Sequence, residues 1–323
     1  MSNQSSTTSS QPQPGAGAAS SSSNDKARVC AIVVTFNRKE RLRECLAHLR
    51  AQERSVDRVL VVDNASTDGT SGMVREEFAW CELLALPLNS GGAGGFHDGM
   101  KWALENGFDW MWLMDDDALA LPDCLGKLLV AGEPGFLPVP LQQNKLGYKY
   151  GISVWTGTAV ESTERILNGE LPRDGHYLFA FVGPLVPREV VEKIGLPHHN
   201  FFIYFDDWEY ALRMESHTDF QVRVVPDALF LHDIGGAARH ARFLWRKSVR
   251  VTPAPWKLYY GARNAVWTLR FGGRPKAELR TFLGFQLRWI LGDLLFEPDR
   301  TKRVRARVRG ISDGLRARMG KRI

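Results

Sequence analysis

The stretch Asp109–Pro122 reads DWMWLMDDDALALP. Trp110 to Met114 form a strongly apolar run, and Asp115, Asp116 and Asp117 follow it without a spacer. Adjacent carboxylates repel and raise one another's pKa unless a positive partner stands among them. An apolar strand that ends in three acids therefore calls for such a partner, and the neighbouring elements show the setting. Val29–Phe36 (VCAIVVTF) is a β-branched apolar run and reads as a buried strand. The helix after it carries Leu42, Cys45, Leu46 and Leu49 at helical spacing. VDRVLVVDNAS is a second buried strand ending at Asp63, and DGTSGMVREEF a capped helix. CELLALPL is a third strand, NSGGAGGFHDGMKWALENG a glycine loop running into a helix, and DWMWLM the fourth strand.

Four strands alternating with helices predict an α/β fold built on a mostly parallel sheet flanked by helices. In such sheets ligands bind outside the carboxyl ends of the strands. Thr35–Arg38, Asp63–Asn64, Asn89–Gly95 and Asp115–Asp117 all follow strand ends, so they are expected along one edge. From 133 to 176 the pattern weakens and reads as loops and short strands. A strand and a helix from Pro187 follow, then a helix start at Asp206, Asp207 and Glu209, then a strand pair leading to His232. Beyond 250 lie amphipathic helices and a basic tail.

The 323 residues are 44% hydrophobic, enough for a sizeable core. The net charge of +6 is concentrated after residue 300, which points to an anionic partner for that tail. Cys30, Cys45, Cys81 and Cys124 have no CxxC spacing, so a structural zinc site is not expected and reduced thiols are. No apolar run reaches the roughly 18–20 residues of a membrane span. The Ser-, Gln- and Pro-rich residues 1–26 read as a disordered tail rather than a secretory signal.

Each motif has a plain alternative. Carboxylate oxygens suit Mg²⁺ or Mn²⁺, and the D-x-D spacing lets Asp115 and Asp117 face one site; the alternative is a solvated turn. The glycine segment offers backbone amides to an anion, or it simply packs closely. Asp63 accepts from a pyrimidine base, or it caps the next helix. Arg38 pairs with a phosphate, or it lies on a helix face. Asp206 and Asp207 supply a general base, or they complement a helix dipole. His232 is a metal ligand, or a lone surface histidine.

Taken together, AIVVTFNR (31–38), VLVVDNASTDGT (59–70), NSGGAGGFHDGM (89–100), MWLMDDDA (111–118), FFIYFDDWEY (201–210) and LFLHDIGG (229–236) resemble an inverting glycosyltransferase of family 2 with the GT-A fold, over residues 28–240. GGAGGF with DDD resembles the galactofuranosyltransferase and rhamnosyltransferase branch, and KLYYGARN (257–264) a segment that follows the catalytic domain there. The resemblance implies a GT-A catalytic domain over 27–245 and a helical segment with a basic tail over 246–323. It implies that Thr35, Phe36, Asn37, Arg38, Asp63, Asn64, Asn89, Gly91, Gly92 and Asp116 bind the nucleotide-sugar donor, UDP- or dTDP-linked. Asp115, Asp117 and His232 would hold Mn²⁺ or Mg²⁺, Asp207 would be the general base, and Asp206, Trp208 and Glu209 would place the acceptor.

Galactofuranose from UDP-galactofuranose is the expected donor group, dTDP-rhamnose the alternative, and a glycan or polyprenyl-linked molecule the expected acceptor in cell-envelope glycan synthesis. The chain is expected in the cytoplasm, peripheral on the inner face of the membrane, its basic segment on an anionic surface. A non-catalytic scaffold is the reading from another class, and specific nucleic-acid binding is not expected. Asp98 after His97 and the segment 133–176 depart from the family pattern.

Overall fold

The computed structural model describes residues 27–168, 176–232 and 253–323, with the backbone alone of 239–243 and 246–250. The N-terminal tail and the DIGG residues after His232 lie outside the described residues. The first half alternates as the sequence predicts: β1 (Val29–Thr35), α1 (Lys39–Arg50), β2 (Arg58–Asp63), α2 (Thr70–Glu77), β3 (Glu82–Ala85), α3 (Gly91–Glu105) and β4 (Trp110–Asp115). β1 lies between β2 and β4, all parallel, with β3 on the outer edge of β2. Every residue of β1 is buried, because helices cover both faces of the sheet and leave no place for alternating polar residues.

The register places the chemistry. Thr35 pairs with Asp63, and Val34 with Asp115, so β1, β2 and β4 stop level and their loops leave on one edge. The glycine segment departs from the expected loop: Gly91 already begins α3. A Cβ on Gly91 would stand 2.0 Å from the Phe202 carbonyl oxygen, and its φ of +76° is open to glycine. Cβ atoms on Gly95 and Gly99 would meet Val34 and Ile32 of β1 at 2.5 Å. These glycines thus let a helix lie directly on the sheet.

The chain continues through β5 (Leu119–Ala120), α4 (Cys124–Ala131), β6 (Phe136–Gln143), β7 (Lys149–Tyr150), β8 (Ile152–Trp155), β9 (Val160–Glu161) and α5 (Thr163–Leu167). Within a region expected as loops and short strands, β6 is an eight-residue strand with a mostly buried pattern. Pro138 and Pro140 hide it from a propensity reading, since proline gives no ladder N–H. β10 (His176–Phe179), β11 (Leu185–Pro187), α6 (Arg188–Ile194) and α7 (Asp206–His217) follow, and β11 adds antiparallel to β4. The expected strand pair before His232 is one strand, β12 (Gln221–Leu231), parallel to β6, with its register slipping between Val225 and Leu229 around Pro226. β13 (Arg239–Phe243) and β14 (Arg246–Arg250) pair as a hairpin.

α8 (Pro255–Phe271), α9 (Lys276–Phe296) and α10 (Arg300–Leu315) close the chain. The basic tail is in large part α10, and it packs. Cβ atoms on Gly310 and Gly314 would stand 2.4 Å from the Tyr259 and Arg263 carbonyl oxygens of α8. Arg307 and Arg303 are buried, Arg307 Nε donating to Asp293 at 2.8 Å and Arg303 Nε to Asp299 at 2.6 Å. These two arginines are therefore structural, whereas Arg300, Lys302 and Arg305 stay exposed. No helix among the described residues is long and apolar enough to cross a membrane.

Packing makes opposite demands on neighbouring glycines of α3. Gly95→Ala should cost about 1–3 kcal/mol in urea unfolding, because Val34 and Asn64 must move. Gly92→Ala, with nothing within 4 Å, should leave stability equal or slightly raised.

Candidate active site

The loops at the level strand ends enclose a cleft of about 720 Å³. Of the residues singled out from the sequence, Thr35, Phe36, Arg38, Asn64, Asn89, Gly91, Gly92, Asp115, Asp116, Asp117, Asp206, Asp207 and His232 line it. Six segments distant in the chain converge here, and four of them follow strands of the parallel sheet, where such convergence is expected.

The three aspartates are not equivalent. Asp116 is buried and accepts from Thr35 Oγ1 at 2.7 Å and from the Arg38 guanidinium at 3.3 Å. Burial nevertheless pushes it up to about 6. Asp117 receives Arg38 at 2.6 Å and faces His232 Nε2 at 3.6 Å. Burial opposes its charge, but His232 and Arg38 outweigh it and hold the carboxyl down at about 2. Asp115 is pushed up to about 8 by burial and then by Asp116 and Asp117. Arg38 is thus the positive partner within the chain, and it serves two of the three acids. The sequence offered it a phosphate or a helix face; the structure ties it to carboxylates.

His232 follows β12 with its ring held from behind. Nδ1 lies 3.1 Å from Gln142 Oε1 and 3.0 Å from Tyr150 Oη. With Nδ1–H given to Gln142, Nε2 is the ring nitrogen that faces Asp117 and that a metal ion would take in place of a proton. Gln142 and Tyr150 come from β6 and β7, where sequence reading saw no site residue. Among the described residues, no three of His, Cys, Asp and Glu are grouped as a ready metal site. The donors still fit a hard cation: the 3.6 Å between Asp117 Oδ1 and His232 Nε2 suits two ligands each about 2.1 Å from one ion. Asp115 adds a carboxyl whose charge burial disfavours. Oxygens of a bound molecule would complete the shell.

The second acidic group depends on an unusual approach. Phe202, Tyr204 and Phe205 all have φ near +67°, a left-handed conformation that costs non-glycine residues about 1 kcal/mol or more each. α8 holds them there. Asn264 Nδ2 lies 2.7–3.0 Å from the carbonyl oxygens of Phe201, Ile203 and Tyr204, and Arg263 donates to Phe201 at 2.7 Å. Both side chains are fully buried. α7 therefore starts with Asp206 and Asp207 turned into the cleft. Asp207 Oδ1 accepts the Trp208 N–H at 2.7 Å, while burial and then the charge of Asp115 push the carboxyl up to about 7. Asp206 is held well above the carboxylate range by burial and by Asp207.

Four assignments change. Glu209 is buried away from the cleft, bonded to Arg213 at 2.8 Å and facing His198 at 3.4 Å; it ties α7 to the chain before it. Trp208 points to the other side of α7, into a separate apolar cavity. Asp63 is buried and accepts from the Ser66 N–H at 2.9 Å and from Ser71 Oγ, the capping role the sequence left open. Asn37 does not line the cleft; it receives the Thr67 N–H at 2.7 Å and laces two loops together. Conversely, Trp256 and Lys257 at the start of α8 line the cleft and bring a second cation. The polar Arg-Asn pair inside the helical run KLYYGARN was the one sign in the sequence of a buried polar duty.

Because Asp115 is protonated more readily folded than unfolded, it weakens the fold increasingly as pH rises from about 4 to 8. In EDTA at pH 8, Asp115→Asn should therefore raise Tm, by roughly 2–4 °C for each kcal/mol relieved, and the gain should shrink by pH 5 in scanning calorimetry. A gain independent of pH would contradict this account.

Residues 30–131 match the model of the family described as glycosyl transferase family 2. The galactofuranosyltransferase GlfT1 of Mycobacterium tuberculosis (strain ATCC 25618 / H37Rv) is 29% identical over 279 residues, covering 80% of this chain and 87% of that protein. The dTDP-rhamnosyl transferase RfbF of Shigella flexneri is 26% identical over 263 residues, 76% of this chain and 80% of that one. Among solved structures, the mannosyltransferase PcManGT from Pyrobaculum calidifontis, in complex with GDP-Man and Mn²⁺, aligns with a TM-score of 0.51 at 18% identity, over 90% of this chain and 88% of that one. At that identity the likeness speaks for the fold. Family match, relatives and fold agree with the cleft: residues 30–131 resemble the family 2 glycosyltransferases, the chain has the GT-A fold, and it is a nucleotide-sugar glycosyltransferase.

Proposed function

We propose that this enzyme is a metal-dependent, inverting galactofuranosyltransferase that moves galactofuranose from UDP-galactofuranose to a lipid-linked or polysaccharide acceptor in cell-envelope glycan synthesis. The observation that carries it is that Asp207, Asp115 and Asp117 line one cleft. A base and a diphosphate site in one cleft are what a single displacement at an anomeric carbon requires.

In this reading Asp115, Asp117 and His232 hold Mn²⁺ or Mg²⁺, which when bound supplies positive charge to the donor diphosphate. Phe36, Asn89, Gly91 and Gly92 lie against the nucleotide sugar, and Asn64 positions Gly91 through a 3.1 Å bond to its carbonyl. Lys257 offers a further cation to the leaving nucleoside diphosphate. Asp207, with one oxygen held by the Trp208 N–H, takes the proton of the acceptor hydroxyl with the other. The acceptor oxygen bonds to the anomeric carbon as the glycosidic C–O electrons leave with the diphosphate from the opposite face, and the configuration inverts. Asp206 beside it orients the acceptor. The exposed cations of α10 support action at the inner face of a membrane.

Calorimetry with UDP and TDP, each with Mn²⁺ or EDTA, tests the reading first. Metal-dependent binding of UDP supports galactofuranosyl transfer; metal-dependent binding of TDP alone moves the donor to dTDP-rhamnose, as the resemblance to RfbF allows. Asp117→Ala should weaken UDP binding in Mn²⁺ by tenfold or more, on the order of a lost metal ligand, and unchanged affinity would remove the metal assignment. Asp207→Ala should keep UDP binding and lose about 10²–10⁴-fold in kcat, the usual worth of a positioned base. In the wild type, kcat/KM should rise with pH and flatten above about 7, where Asp207 is ionised.

A further inference from the structure

Gly320–Ile323 (GKRI) belong by sequence to the basic tail, yet they fold back after α10 and bring Ile323 into the lining of the catalytic cleft. Buried groups of α8 hold them there. The Tyr260 hydroxyl accepts the backbone N–H of Arg322 at 3.0 Å and of Ile323 at 3.3 Å, and donates to the main-chain oxygen of Ile323 at 3.1 Å. Arg263 donates to the Gly320 carbonyl at 2.5 Å with one nitrogen and to the Phe201 carbonyl at 2.7 Å with another, so one guanidinium joins this segment to the turn before Asp206. The Gly320 N–H closes the same junction on the Asn200 carbonyl at 2.8 Å. Lys321 Nζ stands 5.5 Å over the Phe202 ring.

This seat does not serve to bury Ile323, which stays 45% exposed. Tyr204 and Trp256, 37% and 40% exposed, line the same cleft, with Lys257 Nζ 5.7 Å from one ring and 5.5 Å from the other. Three large apolar side chains from distant segments are thus left open in one cleft, which marks a binding surface and not a core. A sugar ring offers an apolar C–H face and an edge of hydroxyls. Such a rim suits the face, while Lys257 and Asp206, two residues after Tyr204, suit the edge. Trp208 and Glu209, which the sequence offered for the acceptor, face elsewhere and leave that duty open.

We propose that Tyr204, Trp256 and Ile323 form an apolar rim that receives the C–H face of the acceptor's sugar, and that Tyr260 is the positioning residue that holds Ile323 in it. The proposal rests on the reading of Asp207 as the acceptor's base, and it names the side chains that set the sugar against that base.

Saturation-transfer and titration NMR on the full chain with UDP and Mn²⁺ tests it, the probes being the methyl glycosides of galactofuranose, rhamnose and glucose. At least one glycoside should bind through its ring C–H protons. Trp256→Ala should weaken that binding about three- to tenfold, the worth of an aromatic contact, and Ile323→Ala about threefold. Tyr260→Phe should weaken it about threefold or more, and should speed amide exchange at Arg322 and Ile323 by a similar factor, because the bonds of the hydroxyl are lost. Tyr259→Phe is the control. It removes another hydroxyl of α8, bonded to Asp313 at 2.8 Å, and should change neither glycoside affinity nor that exchange. A general loosening of the helices would move both tyrosine variants alike. Manganese-dependent UDP binding should be unchanged in all four variants. Absence of UDP binding by the wild type would strike the transferase reading, whereas glycoside binding indifferent to these substitutions would overturn the rim alone. No glycoside bound by the wild type, equal effects of the two tyrosine variants, or a parallel loss of UDP binding would overturn it as well.

Discussion

Mutual repulsion among carboxylates at the edge of one sheet is the constraint around which the site is arranged. Asp115 ends β4 with Asp116 and Asp117 directly after it, and Asp206 and Asp207, which begin α7, line the same cleft. Arg38 bonds Asp116 and Asp117, Thr35 bonds Asp116, and His232 faces Asp117. Asp115 and the α7 pair keep raised pKa values instead. Such a cluster is costly to the free protein and is the arrangement that a divalent cation and an acceptor hydroxyl would relieve.

Holding that cluster in place requires support from elsewhere in the chain. The left-handed run before Asp206 is unfavourable in isolation and is retained because Arg263 and Asn264 saturate its carbonyl groups. α10 in turn presses on α8 through Gly310 and Gly314. The C-terminal helices are thus a brace for the acidic turn at Asp206 and Asp207 as well as an addition to the GT-A fold. Their outer surface is a different matter: buried arginines bind the helices together, while exposed cations and leucines face outward.

Much of this was legible in the residues. The β-branched runs of β1 and β2 and the apolar stripe of α1 need both faces of a sheet covered, and that forces the strand-end residues onto one edge. The reading faltered where local chemistry contradicts the element. Pro138 and Pro140 disguise β6, and Pro226 splits β12 into an apparent pair. Glycines that read as a loop are instead the contact face of α3, because a helix tolerates them when a sheet lies within a Cβ radius. Glu209 looked like a site residue because acids gather at helix starts, and one of them was needed for Arg213.

The sequence by itself determined the parallel sheet, its sharp acidic strand end, and which residue types gather at the edge, because periodicity and strand-end position are local properties. Only the tertiary structure decided which acids share a wall, which are consumed by buried partners, and which cation serves which carboxylate. Those outcomes depend on distances of a few ångströms between segments up to about 200 residues apart, which packing sets and spacing along the chain does not encode. The turning of Trp208 away from Asp207 into an apolar cavity belongs to the same class: the two are neighbours in the chain, and only helix geometry and the aromatics from α9 separate their roles.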